Sequence, residues 1–422
     1  MEVIHRRCAG LDVHKKSVAV CVRVLGSDGR LQKQVRTFGT MTRDLLELGE
    51  WLTGQGVTHV AMESTGVFWK PLYNLLEGKF EILLCNAQHI KQVPGRKTDV
   101  KDCEWLAQLL QHGLLRGSFV PPRPLRDLRD LTRHRAQVIA EKTAVANRIH
   151  KVLEDANVKL GSVASDVLGA SGRAVLHAMI EGENDPTTLA ELAQRKLRAK
   201  IPQLKASLEG RVTEHHRFML RTLFTHLTFL EKSIHEITNR IEEVMIKADA
   251  EATEVRTVPF VEAVRLLITM PGIEVRTAQN VVAEIGCNMA QFPRAQNLAS
   301  WGGMCPGNNE SAGRRKGGKT TKGNRWLRSA LVQAAWAASH TKGTYLAAQF
   351  RRLAARRTKK PALVAVGHTM LVIAYHMLKT HTPYADLGPD HFDQLNPERL
   401  TRHLVKRLEK LGHKVTLEHA AA

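Results

Sequence analysis

Several features that would narrow the function are missing from this sequence of 422 residues. No apolar run approaches the ~20 residues that a membrane-spanning helix needs, so we expect no membrane partner. The N-terminal MEVIHRRCAG lacks the apolar core of a secretion signal, which favours a cytosolic protein. The six cysteines show no CxxC spacing, and this argues against both a zinc cluster and a disulfide framework.

Acidic residues are scarce towards the C-terminus, and charge is therefore the most informative total. The chain has 62 Lys and Arg residues against 41 Asp and Glu residues, a formal net charge of +21. Residues 266–422 hold 23 basic and nine acidic residues and so carry about two thirds of the excess. Such a surplus favours a nucleic acid as partner, because basic side chains replace the counterions of phosphates.

Residues 1–119 alternate strand and helix patterns. RCAGLDV and SVAVCVRVLG are β-rich runs, and QVRTFG follows as a third strand. A helix, strand, helix, strand and helix come next, and the last helix, in TDVKDCEWLAQLLQHG, is predicted to be capped at Thr98 and to end at Gly113. This order predicts an α/β domain with a mixed sheet.

The proline cluster VPPRPL marks a boundary, after which residues 120–260 are predicted to be mainly helical. Apolar residues there alternate steps of three and four along one helix: Leu220, Leu223, Leu227, Leu230, Ile234, Ile237, Ile241 and Val244. This spacing favours a coiled-coil seam for dimerisation, and a plain amphipathic core helix is the alternative. Residues 160–215 match no pattern, and EGENDPTTLAELAQRKLRAKIPQ is expected to be rich in loops.

Residues 261–422 open with LLITMPGIEVRTAQNVVAEIG, which has the form of a helix-hairpin-helix. In that motif the amides of a glycine turn approach a DNA phosphate without reading its sequence. A two-helix core hairpin is an equal alternative. The rest of this region is predicted to be mainly helical and basic.

Four acidic residues stand where carboxylates can converge. Asp12 and Glu63 each end an apolar strand. Asp99 and Asp102 lie three residues apart at the start of a helix, where positions i and i+3 share a face. If these positions meet at one sheet edge, they supply the oxygen ligands that hard divalent cations need. Each acid alone is more simply a turn residue, or an acid favoured by the helix dipole.

One serine precedes a glycine-rich basic segment in PGNNESAGRRKGGKTTKGNRWLR. Seven basic residues without an acid follow Ser311: Arg314, Arg315, Lys316, Lys319, Lys322, Arg325 and Arg328. Glycines let backbone amides approach a phosphate, and the cations offset its charge. A solvated charge run is the plain interpretation, and a nucleophile held against a phosphodiester is the sharper one.

Two groups of segments resemble one known family. GLDVHKKSVAVCV, MESTGVFWKPLYNLLE and KTDVKDCEWLAQLL are similar to the nuclease domain of DEDD transposases. MPGIEVRTAQNVVAEIG, FPRAQNLASWGGMCPGNNESAGRRKGG and KGNRWLRSALVQAAW are similar to the C-terminal domain of the same proteins. The chain thus resembles the insertion-sequence 110 family, to which the Piv-type DNA invertases are related. Motif order within both halves makes the resemblance specific.

The resemblance implies an RNase H-like (RuvC-like) α/β nuclease domain at 1–119, a helical and coiled-coil linker and dimerisation region at 120–260, and a mainly α-helical transposase domain at 261–422. It implies that four acids bind Mg²⁺ (or Mn²⁺): Asp12, Glu63, Asp99 and Asp102. It also implies that Ser311 attacks the DNA backbone, and the seven basic residues after it are expected to bind nucleic acid.

The implied function is that of a transposase or recombinase, which cuts and rejoins double-stranded donor and target DNA through a serine–phosphodiester intermediate. The family further implies a structured non-coding (bridge) RNA as guide and a bacterial or archaeal cytosol as location. The apolar seam suggests a homo-oligomer, a dimer or tetramer. The main alternative is a metal-dependent RuvC-like junction resolvase or nuclease without a covalent intermediate. A non-enzymatic nucleic-acid-binding protein with structural acids is the second.

Overall fold

The computed structural model describes residues 2–64, 66–86, 90, 102–251, 258–306, 309–311, 314–317, 320, 323–356 and 358–418, with the backbone alone at 309–311 and 314–317. The chain forms two compact units, Met1–Pro121 and Pro122–Ala422. Each unit has its own hydrophobic core. The division falls inside the proline cluster, close to the boundary predicted after residue 119.

The first unit is built on a five-stranded mixed sheet. Its strands are β1 (Arg7–Val13), β2 (Ser17–Leu25), β3 (Leu31–Gly39), β4 (His59–Glu63) and β5 (Glu81–Cys85). Their order across the sheet is β3-β2-β1-β4-β5. The pairs β1–β2 and β2–β3 are antiparallel, whereas β1–β4 and β4–β5 are parallel. The predicted mixed sheet is confirmed, and its order is consistent with an RNase H-like domain.

Helices cover both faces of this sheet. They are α1 (Thr42–Gly54), α2 (Trp69–Leu76) and α3 (Asp102–Gln111). Ala9 and Leu11 of β1 share a buried cluster with residues of α1 and α2, while Cys8, the residue before Ala9, packs with α3. Alternate residues of a strand face opposite sides, so β1 is buried on both. The predicted stop of α3 is confirmed by Gly113 at φ 65°, while the predicted cap at Thr98 lies outside the described residues.

The second unit is helical apart from a short β-hairpin, within the ranges described. Its helices are α4 (Arg123–Asp155), α5 (Leu160–Val163), α6 (Ala170–Ile180), α7 (Pro186–Glu191), α8 (Ile201–Leu208), α9 (Glu214–Ala250), α10 (Phe260–Leu267), α11 (Val275–Ile285), α12 (Ala295–Trp301), α13 (Arg325–His340), α14 (Tyr345–Ala354), α15 (Lys359–Thr380), α16 (His391–Gln394) and α17 (Pro397–Lys410). The hairpin strands are β6 (Asn309–Ser311) and β7 (Arg314–Gly317).

The predicted seam lies on α9 and is covered within the chain. Helices α9 and α4 pack together and run antiparallel, because His216 near the start of α9 lies 2.9 Å (Nε2 to Oδ2) from Asp155 at the end of α4. Leu227 and Ile241 of the seam are both fully buried. This pairing supports the amphipathic core helix. The expectation of a dimerisation surface along the seam is corrected, because its central residues face other helices of the same chain.

Short helices occupy much of residues 160–208, and the segment 181–203, for which the sequence predicts loops, is helical at 186–191 and 195–203. Helices α5 to α8 bury Leu176, Leu189 and Leu204 in one cluster with Leu220 of α9. Pro186 opens α7, and the Asp185 carboxylate before it accepts a hydrogen bond from the Thr188 amide. The loop prediction was wrong for most of this segment because helices of six to eight residues show too few turns for an apolar period to emerge.

The predicted helical hairpin is formed by α10 and α11. Gly272 in the turn between them has φ 85°. A Cβ at this position would lie 2.3 Å from the Ala334 carbonyl oxygen and 2.6 Å from the Ala338 nitrogen, both on α13. The glycine therefore permits close packing on another helix of the same unit. This contact supports the core hairpin over a turn reserved for DNA.

Helix α15 is long and apolar enough to cross a membrane by those two criteria alone, yet 56% of its most apolar window is buried inside the unit. Val366, Met370 and Leu371 are fully buried in the core. The Tyr375 hydroxyl, also buried, donates a hydrogen bond to the Phe292 carbonyl oxygen at 2.9 Å. These contacts make α15 a core helix of the unit.

Candidate active site

Neighbouring parallel strands carry Asp12 and Glu63 to one edge of the sheet. In the register of β1 and β4, Leu11 lies opposite Met62. Asp12 and Glu63 are the next residues along each strand, and Glu63 ends β4. Equivalent positions on parallel neighbours point to the same face, so the two acids lie side by side at the carboxyl edge.

Gly10 brings Asp102 to the same place. A Cβ on Gly10 would lie 2.3 Å from both the Cys103 carbonyl oxygen and the Ala107 nitrogen, so the backbone of α3 rests directly on β1. Asp102 is the first residue of α3, immediately before Cys103. The absent side chain thus lets the start of α3 approach the end of β1, where Asp12 lies.

The carboxylates influence one another electrostatically. Burial raises the pKa of Asp12 above its ordinary value, and the negative charges of Asp102 and Glu63 raise it further. The Asp12 side chain is 25% exposed, so water screens this repulsion only in part. The structure therefore brings two of the predicted acids, Glu63 and Asp102, within electrostatic reach of a third, Asp12.

His14 also belongs to this group, although the sequence reasoning did not select it. Its Nε2 lies 3.1 Å from Oδ2 of Asp12, and this contact opposes the rise in the pKa of Asp12. The imidazole is 67% exposed. His14 sits in the turn between β1 and β2, two residues after Asp12. In GLDVHKK a histidine stands two residues after a strand-end acid, and this spacing alone does not predict a contact between them.

The acids suit a divalent cation in chemistry, while their ligand geometry stays a prediction. Asp99 lies outside the described residues. Among the residues that are described, no group of three or more His, Cys, Asp or Glu is arranged to hold a metal ion. Carboxylate oxygens are nevertheless the donors that Mg²⁺ and Mn²⁺ prefer. The mutual repulsion at Asp12 is also what a bound cation would relieve.

Ser311 lies at the end of β6, next to the turn of the hairpin. Its backbone pairs with that of Arg314, and Glu310 pairs with Arg315. The hairpin is extended by an isolated bridge between Pro306 and Thr320. The backbone pairing thus places Ser311 at the last paired position of β6.

The predicted phosphate-binding residues are distributed along this hairpin and the helix after it. Arg314, Arg315 and Lys316 lie on β7, and Lys319 and Lys322 are outside the described residues. Arg325 and Arg328 lie in the first turn of α13. The Arg325 guanidinium stands 4.6 Å from the centre of the Trp326 ring.

The foot of the hairpin is fixed by contacts that the sequence reasoning missed. A Cβ on Gly323 would lie 2.3 Å from the nitrogen of Gly303, so two glycines are packed backbone to backbone. The Asn324 side chain caps α13 and donates a hydrogen bond from Nδ2 to Glu284. Glu284, buried on α11, also accepts two hydrogen bonds from Arg133 of α4, at 2.7 and 2.8 Å. The hairpin is thus anchored to α4 and α11.

Known proteins match the chain in both halves. Residues 9–158 match the DEDD transposase family of the IS110 type, and residues 264–351 match the transposase IS116/IS110/IS902 family. The first match contains all four predicted acids and the second contains Ser311. Residues 160–215 lie outside both matches.

Two curated relatives are the pilin gene-inverting proteins of Moraxella bovis and Moraxella lacunata. Each is 31% identical over 124 residues, which are 28% of this chain and 38% of the relative. The match therefore spans well under half the length of these relatives. The two family matches together cover more than half of this chain in the order expected. The chain belongs to the IS110 family of DNA transposases and recombinases.

Proposed function

We propose that this transposase cuts and rejoins donor and target double-stranded DNA through a covalent bond between Ser311 and DNA. The observation that carries the proposal is the convergence of Asp12, Glu63 and Asp102, in a chain whose second half supplies a serine at a hairpin tip. Carboxylates alone would suffice for hydrolysis. A serine ester adds the ability to rejoin strands.

In the proposed step the Oγ of Ser311 attacks the phosphorus of a DNA phosphodiester. The bond between Oγ and phosphorus forms, the bond between phosphorus and the 3′ oxygen breaks, and the serine proton ends on that 3′ oxygen. One ester replaces another, so bond energy is conserved. A 3′ hydroxyl of a second strand can then attack the phosphoserine and release Ser311 without ATP.

The acids and cations support this step in different ways. Asp12, Glu63, Asp99 and Asp102 would hold Mg²⁺ (or Mn²⁺), which when bound polarises a phosphate and offsets charge on a leaving oxygen. His14 steadies one oxygen of Asp12. The basic residues that follow Ser311 balance the phosphate charge. A serine hydroxyl is a weak nucleophile and needs such activation.

The partners and the assembly are part of the proposal. The net charge of +21 supports large nucleic-acid partners, which we propose are the two DNA duplexes and a structured non-coding (bridge) RNA as guide. We place the reaction in a bacterial or archaeal cytosol. The acids and Ser311 belong to different compact units. A dimer or tetramer in which one subunit's acids meet another's serine would join them, through surfaces other than the α9 seam.

A covalent-adduct assay tests the proposal. The protein is incubated with Mg²⁺, the candidate RNA from flanking non-coding DNA, and labelled donor and target duplexes, and is then run on a denaturing gel. Wild type and the exposed-serine control Ser300→Ala should carry label, and Ser311→Ala should carry none. Asp102→Asn should lower the adduct yield by about 100-fold or more, because a ligand of the cation that would stabilise charge at the reacting phosphate is lost.

The other two functions make different predictions in the same assay. A junction resolvase would leave free 5′-phosphate ends, and its Ser311→Ala variant would cut DNA as well as wild type does. If the protein only binds nucleic acid, the Asp102→Asn variant and wild type would give the same result. Either pattern would replace the proposed function.

A further inference from the structure

A cleft of about 560 Å³ lies between α4, α11 and α13 in the second unit. Its lining includes the arginines Arg133, Arg135 and Arg276 together with Asn280, Trp326 and several small apolar side chains. None of these residues except Arg133 is tied to a carboxylate by an ion pair within the described part of the chain. The cleft therefore combines room for a ligand with an excess of positive charge.

Arg135 is the unusual member of this lining. It is only 1% exposed, yet its guanidinium bonds to neutral oxygens: Nη1 donates to Gln279 at 2.7 Å, and Nη2 donates to Asn280 at 3.1 Å. Burial and, to a lesser extent, the nearby positive charge of Arg276 lower the pKa of Arg135 to about 10. Glu242 offers only partial electrostatic compensation. Buried charges are normally paired, because desolvation is costly.

Arg133 lies in the same cleft but, unlike Arg135, forms an ion pair with an acid of the chain. It makes a bidentate contact with buried Glu284, so its charge is already balanced. Arg276 on α11 is exposed at the cleft mouth, and its side chain has no bond to a described acid. Within the described residues, the cleft thus holds two cations, Arg135 and Arg276, that form no ion pair with an acid of the chain.

We propose that this cleft binds a phosphodiester group of a nucleic-acid strand, with Arg276 contacting the phosphate directly and Arg135 supplying buried positive charge behind it. The amide of Asn280 and the hydroxyl of Ser329, which also line the cleft, provide further hydrogen-bonding groups. Planar guanidinium groups bind the oxygens of phosphates and of carboxylates alike. A phosphate is the better candidate here because the chain belongs to a family that acts on DNA.

The position of the cleft relates the proposed phosphate contact to the hairpin that carries Ser311. Trp326 lines the cleft and lies two residues after Asn324, at the foot of the hairpin that carries Ser311. Glu284 contributes both to the cleft and to the anchor of that foot. A strand held in the cleft is therefore held close to the base of the hairpin. This binding site does not depend on Ser311 acting as a nucleophile.

Binding measured by fluorescence anisotropy tests the cleft without any strand cleavage. Full-length protein, without divalent metal, is titrated with labelled duplex DNA, single-stranded DNA and single-stranded RNA of arbitrary sequence over a range of salt concentrations. Arg276→Ala is compared with Arg265→Ala, a control of equal charge change on α10 whose side chain is 71% exposed. Neither substitution touches the core, so both proteins should fold.

Arg276→Ala should weaken binding of at least one probe about tenfold, because a charge-assisted hydrogen bond is lost. The slope of log Kd against log salt should fall by about 1 for that probe, whereas Arg265→Ala should change neither quantity. Loss confined to the DNA probes assigns the cleft to DNA, and loss confined to RNA assigns it to RNA. Equal behaviour of the two variants on all three probes would overturn the inference, and would leave the serine chemistry untouched.

Discussion

Asp12 carries a carboxylate that burial and two neighbouring acids make harder to ionise. The pKa of Asp12 is therefore higher in the folded protein than in the unfolded chain. Between these two pKa values the folded state binds more protons, so stability rises as the pH falls through that window and is lower above it. Without a bound cation, the ionised Asp12 carboxylate therefore lowers the free energy of unfolding at neutral pH.

Asp12→Asn should consequently stabilise the metal-free protein by ~1 kcal/mol at neutral pH, and the gain should shrink as the pH falls through the raised pKa. Mg²⁺ should raise the melting temperature of wild type and should do so much less in the variant. Thermal melts at several pH values check both effects. Asp28→Asn, on a 60% exposed turn residue, is the control and should change neither; a destabilised Asp12→Asn protein would contradict the account.

Gly10 tests the contact that positions Asp102. Gly10→Ala should destabilise the first unit by about 1–3 kcal/mol, because the new Cβ meets backbone atoms of α3 that cannot turn aside. It should also reduce adduct formation, because α3 must move away from β1. Gly54→Ala in α1, where a Cβ meets nothing within 4 Å, should be neutral or slightly stabilising. Denaturant unfolding distinguishes the two; equal stabilities would mean that α3 does not need this glycine.

Among the elements, α9 shows that an apolar spacing can correctly predict a buried helix face without predicting which helix covers it. Leu227 is fully buried in the seam, whereas Phe229 on the same helix is 64% exposed. Leu227→Ala should lower the free energy of unfolding by about 2–5 kcal/mol, and Phe229→Ala should change it little. The loss at Leu227 should not depend on protein concentration. A melting temperature that rises with concentration for wild type but not for Leu227→Ala would restore the seam as a dimer interface.

The sequence predicted the sheet and most helices because their periods are long and clear. It left the partner of α9 open, because a spacing of three and four reports an apolar face and not what covers it. It could not reveal Glu284 as an anchor, since Arg133 is 151 residues away and Asn324 is 40 residues away. His14 lies only two residues from Asp12 in the sequence, yet an exposed histidine in a turn does not by itself predict a contact with an acid.

At the scale of the whole molecule, acids and cations are separated along the chain. The converging carboxylates lie in the first unit, while residues 266–422 carry about two thirds of the net positive charge. A nucleic acid bound by the second unit would present phosphates to Ser311, and the carboxylates would act on those same phosphates. These separate roles of the two units require that the DNA become attached to one serine, Ser311.

Mass spectrometry of the trapped adduct tests this claim most directly. After the reaction, the DNA is digested to its terminal nucleotide and the protein is cleaved with trypsin. We expect a nucleotide phosphate on Ser311, in the peptide that ends at Arg314, for wild type but not for Asp102→Asn. Recombined DNA formed while that peptide stays unmodified, or a nucleotide found on another residue, would contradict it.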